Sequence, residues 1–187
     1  MATYTVLFTL LVAAAEHLSR PAALVGALAA HRMLPAPAAV AALVIAVEAL
    51  LAVGGIVALL QDGGARLLTA VLLGSAALLG LYAGYGLRLI SAGRPGSCGC
   101  SRMELPMTGW VVGRAAVLAG LALAALVLPD PAGTPGRAEL AVVLLAAATF
   151  TALLWHLPAA MYQPVPATAG PPPHHRTVGS TEGGMSG

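Results

Sequence analysis

Both cysteines of the chain, Cys98 and Cys100, sit one residue apart in the stretch "GRPGSCGCSRMELPMTGW", Gly93 to Trp110. Three chemistries are open to a Cys-Gly-Cys. The first is a disulfide between positions i and i+2. It needs Cα atoms within roughly 4.4–6.8 Å of each other, and the intervening glycine accepts the unusual backbone angles that so small a ring imposes. Strained, exposed disulfides are more oxidising than structural ones. Closing a loop over one residue constrains little of the unfolded chain, so the pattern suits redox exchange better than stabilisation. Arg94 and Arg102 flank the pair and favour thiolate over thiol. The second chemistry is soft-metal binding, because Cys98, Cys100, Met103 and Met107 are all sulfur ligands of the kind that hold Cu(I); zinc lacks four good ligands in this loop. The third is burial without chemistry, which a loop rich in glycine, proline and arginine disfavours. Redox ranks first and metal second.

A second group of residues draws attention because of where it lies. Glu48 interrupts an apolar run, and an ionisable group inside a membrane span hints at function by default. Arg114 lies about 9 Å into another apolar run, counted at 1.5 Å per residue from the cysteine-loop side. It can snorkel back to that interface or pair with Glu48. Two roles for Glu48 stay open, an interhelical tie and proton handling. His17 and His156 close their runs on the cysteine side, where interfacial residues are common, and His17 counts among the residues that support the site. Trp110 and Trp155 fit an aromatic belt, and Tyr82 and Tyr85 read as interface anchors at one end of their helix.

The elements that position these residues follow from composition. The 187 residues are 59% hydrophobic and 9% charged, with a mean hydropathy of +0.89. A soluble domain carries about a quarter charged residues, so this chain cannot cover a water-facing surface. Five long apolar segments, at about 2–18, 38–60, 67–89, 108–128 and 138–157, each approach the roughly 20 residues that cross the hydrocarbon as a helix. Uninterrupted runs are not the alternation of a membrane barrel. The expected fold is all-α: a polytopic bundle of four core transmembrane helices plus a fifth, over residues 1–160. A short interfacial helix follows the first span, opening at Pro21 and closing before Pro35. The first run has no basic residue before it and reads as a retained helix rather than a signal peptide. Residues 161–187, rich in proline and glycine, read as a disordered tail. A net charge of +2 with no basic stripe argues against nucleic acid as a partner.

Four stretches, in order, carry a resemblance: "AAAEHLSRPAALVGALAAHRMLP" after the first run, the glutamate of "VEALLAVGG", "SCGC", and "VVGRAAVL". Across roughly Thr5 to Leu128 the chain resembles the MauE/DoxX-like group, membrane proteins of methylamine utilisation clusters and their relatives. It departs from that pattern at Ser101-Arg102, where the group usually has Phe-Gly, and at Ala115, where an asparagine is common. The resemblance implies a membrane protein associated with maturation of a disulfide-rich, exported amine dehydrogenase subunit, often beside a thioredoxin-like protein. By motif match it gives Cys98 and Cys100 the redox role, and Glu48 and Arg114 the intramembrane polar positions.

The expected activity is thus that of a thiol–disulfide oxidoreductase, with a thioredoxin-like protein or an exported disulfide-containing substrate as partner. A quinone is one membrane acceptor open to such chemistry, although no residue pattern marks a site for it. A copper-handling protein and a non-catalytic assembly subunit are the rival readings. Orientation is contested. Arg20, Arg32, Arg88, Arg94, Arg102 and Arg176 fall on the cysteine side against Arg66 and Arg137 on the other, which by the positive-inside rule puts the cysteines in the cytoplasm. Disulfide chemistry favours the outside, as does an exported substrate, and the extracytoplasmic face is the expectation.

Overall fold

The computed structural model describes residues 1–61, 63–93, 108–128 and 137–160. Among the described residues the regular structure is entirely helical: α1 (Ala2–Ser19), α2 (Pro21–His31), α3 (Pro37–Leu60), α4 (Ala65–Ser91), α5 (Gly109–Val127) and α6 (Arg137–Ala160). All but α2 are long and apolar enough to cross a membrane. The cysteine loop and the tail expectation over 161–187 lie outside the described residues.

The polarity of the bundle is that of a protein dissolved in lipid. Its outer faces carry Leu43, Leu50, Leu60, Leu73, Leu81 and Leu145, each more than half exposed. Its interior holds Thr5, Thr9, His17, His31, Glu48, Ser75 and Thr151, all buried. With no water in the hydrocarbon, each buried polar group must be satisfied within the protein. The hydroxyls do so locally: Thr9 donates to the Thr5 carbonyl at 2.8 Å and Ser75 to that of Val71 at 2.7 Å. Thr151 instead donates across to the Thr5 carbonyl at 3.4 Å, tying α6 to α1.

Helix α1 is the hub, packing against α2, α3, α5 and α6, while the most extensive interface is α4 on α5. Val6 and Leu10 of α1 meet Ala52 of α3, Leu78 and Leu79 of α4, and Leu118 and Ala122 of α5 in one core. Small residues set the spacing, as in other membrane bundles. A Cβ at Gly55 would collide with Leu7, and one at Gly74 would lie 2.8 Å from Leu51 Cδ2.

The α1–α2 junction has a chemical cause. Arg20 leaves the helical region at φ −143°, ψ 57°, and Pro21 opens α2 at its first position. Proline has no N–H, so it cannot donate to the His17 carbonyl four residues back, and α1 stops. Helix α2 then packs Leu24 and Leu28 on Ala41 of α3, with Tyr85 of α4 against the same cluster.

Candidate functional site

Glu48 lies in the middle of α3 with no solvent exposure. Both of its carboxylate oxygens are used. The Tyr82 hydroxyl on α4 donates to Oε1 at 2.7 Å, and His17 Nδ1 on α1 lies 2.7 Å from Oε2. Three helices thus converge on one carboxyl group. With Oε2 as acceptor, Nδ1 carries the hydrogen, and the carboxylate fixes the tautomer and ring plane of the histidine. The other ring nitrogen, His17 Nε2, is buried and has no hydrogen-bond partner. A buried polar atom left unpaired costs about 1–3 kcal/mol, so Nε2 stands out from the satisfied hydroxyls around it.

One turn along α4, a second pair repeats the theme. The Tyr85 hydroxyl and His31 Nδ1 share a hydrogen bond of 3.0 Å, with ring centroids 5.8 Å apart. The histidines that end α1 and α2 are therefore both engaged by neighbouring helices, His17 through Glu48 and His31 through Tyr85. Tyr82 and Tyr85 are three residues apart, which places them on one face of α4.

The sequence-derived site residues fall into three groups. Glu48 and His17 come together directly. Arg114 does not join them: its guanidinium carbon sits 4.8 Å above the Trp155 ring centroid, so α5 and α6 meet through a cation–π contact. The expected Glu48–Arg114 pair is replaced by Glu48–His17, because α1 rather than α5 presents its polar side chain to that point on α3. Cys98, Cys100, Arg94, Arg102, Met103 and Met107 lie outside the described residues. Among the described residues no three metal-ligating side chains of the His, Cys, Asp or Glu type cluster.

Sequence reasoning missed Tyr82, Tyr85 and His31, which read as interface anchors or passed without comment. The available signal was their spacing: a Tyr pair at i, i+3 inside an apolar run, and a histidine closing each of two successive helices. Trp155 was legible as an aromatic at an interface but not as the partner of Arg114.

This arrangement can hold and orient a proton between a carboxyl group and an imidazole inside the bundle, with the other imidazole nitrogen buried and unpaired. Comparison with known proteins adds a family. Residues 1–128 match the family model described as methylamine utilisation protein MauE. That interval contains α1 to α5, the whole Glu48 cluster and both cysteines; α6 lies beyond it. No curated protein and no solved structure matches the chain.

Proposed function

Since the chain belongs to the MauE family of membrane proteins, we propose that it is a membrane thiol–disulfide redox protein of methylamine utilisation, cycling Cys98 and Cys100 between dithiol and disulfide. The observation that carries this reading is the coincidence of the chain's only cysteines, one glycine apart, with the family-matched interval. The partner is a thioredoxin-like protein or an exported, disulfide-rich substrate such as an amine dehydrogenase subunit. The loop faces the extracytoplasmic side, where disulfides persist.

In this reading the Glu48–His17–Tyr82 cluster supports the chemistry from within the membrane. Oxidising two thiols to a disulfide releases two electrons and two protons, and a buried carboxylate–imidazole pair is suited to passing protons. The test is thiol alkylation with mass spectrometry on the purified protein, before and after a reductant. The expected result is a difference of two alkylated thiols. Two free thiols under every potential applied would exclude the redox role, and copper bound by the purified protein in proportion to Cys98 and Cys100 would favour the soft-metal alternative.

A further inference from the structure

Arg114 is the one charged side chain of α5, and it sits inside the span, within two turns of Gly109. The intramembrane acid that could have neutralised it is taken, because the two oxygens of Glu48 serve Tyr82 and His17. Among the described residues, no carboxylate or carbonyl accepts a hydrogen bond from the guanidinium. What it does meet is the Trp155 ring, whose centroid lies 4.8 Å from the guanidinium carbon. A ring face answers the charge, but it leaves the five N–H donors without an oxygen to bind. A charged group inside a span pairs with an acid or with backbone carbonyls as a rule. Arg114 therefore calls for an acceptor from elsewhere.

The surroundings of the guanidinium are open to lipid. Helix α6 packs mainly on α1 and only lightly on α5, and Arg114 and Trp155 are both partly exposed. The two residues lie toward the same end of the bundle, Arg114 near the start of α5 and Trp155 five residues before the end of α6 at Ala160. Trp110, about one turn before Arg114 and more than half exposed, marks that end as the boundary between membrane and water. Toward the membrane centre the surface turns apolar. Val117, at i+3 from Arg114, continues the same face of α5 and is exposed, as is Leu153 on α6. The patch thus offers a charged donor group near headgroup level and hydrocarbon surface below it.

The chemistry of the occupant follows. It must bring negative charge and oxygen acceptors to a planar fork of N–H donors, and a phosphate does both. A free anion would have to give up water at the edge of the hydrocarbon, whereas a lipid phosphate already lies there with its chains alongside. A headgroup with its own ammonium competes with arginine for that phosphate, and a headgroup without one leaves it available. We propose that α5 and α6 form a binding site for an anionic phospholipid, with its phosphate on the Arg114 guanidinium and an acyl chain along Val117 and Leu153. Trp155 holds the guanidinium in place from the α6 side. The site lies apart from the Glu48 cluster and does not rest on the thiol reading.

The experiment uses the full chain with Trp110→Phe, which leaves Trp155 as the only tryptophan. The protein is reconstituted in phosphatidylcholine vesicles. In one series part of that lipid is replaced by phosphatidylglycerol brominated on its acyl chains, in the other by phosphatidylcholine brominated in the same way. At equal mole fraction the anionic lipid is expected to quench Trp155 more strongly, with a preference of about tenfold in fitted affinity. Arg114→Gln should abolish the preference. Arg114→Lys, which keeps the charge but loses the fork, should retain part of it. Arg20→Gln, which removes an exposed charge from the same end of the bundle, should leave it intact. Equal quenching by the two lipids, a preference that survives Arg114→Gln, or one lost as fully in Arg20→Gln overturns the proposal. Inorganic phosphate added to the vesicles separates the two sources of phosphate: a lipid site keeps its preference, and release of the brominated lipid would make this a site for the free anion and overturn the lipid assignment. If Arg114→Gln does not reconstitute, native mass spectrometry of the parent chain decides. Phosphatidylglycerol adducts should outlast phosphatidylcholine adducts as collision energy rises, and equal loss of the two refutes the site.

Discussion

Deleting the Tyr82 hydroxyl and deleting the Glu48 carboxyl perturb the same cluster unequally. Tyr82→Phe removes one donor and leaves Glu48 still held by His17, so it should cost about 1 kcal/mol. Glu48→Ala removes the acceptor shared by the part-buried Tyr82 hydroxyl and the buried His17 Nδ1, and should cost about 3 kcal/mol or more. Glu48→Gln keeps an acceptor for Tyr82 and should fall between them. Thermal melts of the purified proteins in one detergent give the order, and a Tyr82→Phe protein less stable than Glu48→Ala would contradict the geometry. At this scale the sequence was half legible. Glu48 announced itself as the one acidic residue of an apolar run, and its burial follows from the expense of facing lipid. Its partners did not announce themselves. Whether His17 or Arg114 reaches Glu48 depends on the rotation of three separate helices, and nothing local to either residue encodes that. The cysteine pair lies outside the described residues, and its spacing alone leaves disulfide, soft-metal and purely structural readings open.

Between helices, the contacts that decide the packing are made by the smallest residues. Gly55 exists as glycine because Leu7 of α1 occupies the place of its Cβ. Gly55→Ala should therefore destabilise the bundle by about 1–3 kcal/mol, as overpacking does. Adding Leu7→Ala should recover part of that loss, a coupling that a double-mutant cycle of melting measurements would reveal and that two independent defects would not. Helix α6 offers a different test. It docks on α1 through Thr151 and on α5 through Trp155 over Arg114, and it lies beyond the family-matched interval. Trp155→Leu should loosen α6 by about 0.5–1 kcal/mol and raise its hydrogen exchange while leaving α3 and α4 protected. Protection lost evenly across all helices would mean that Trp155 supports the whole bundle instead. The apolar runs made these helices legible; the glycine contacts were not, because a close approach is a property of two surfaces and a sequence shows them one at a time.

For the molecule as a whole, composition was sufficient to read the fold class: so few charges and such long apolar runs leave a helical membrane bundle as the physical solution. Orientation is harder, because arginines beside a loop proposed to carry redox chemistry are weaker markers of topology. Labelling intact cells with a membrane-impermeant maleimide after mild reduction is expected to modify Cys98 and Cys100. Modification only after lysis, with an external control cysteine reacting normally, would place the loop inside. The buried cluster also bears on biogenesis. Its three members leave the ribosome in the order His17, Glu48, Tyr82, on helices that enter the bilayer one after another. An acidic residue at a helix centre costs about 2.5–3.5 kcal/mol to insert, while each Leu, Ile or Val contributes about −0.3 to −0.6. The twelve such residues of α3 offset that penalty, so the translocon can release this helix before Tyr82 has been synthesised. His17 is by then already in place, and α1 with α3 forms the first intramembrane pair of the nascent protein, to which α4 adds the final donor. Glu48 is thus a delayed instruction, carried across the membrane by its greasy neighbours and read only when the partners on either side of it in the chain have arrived.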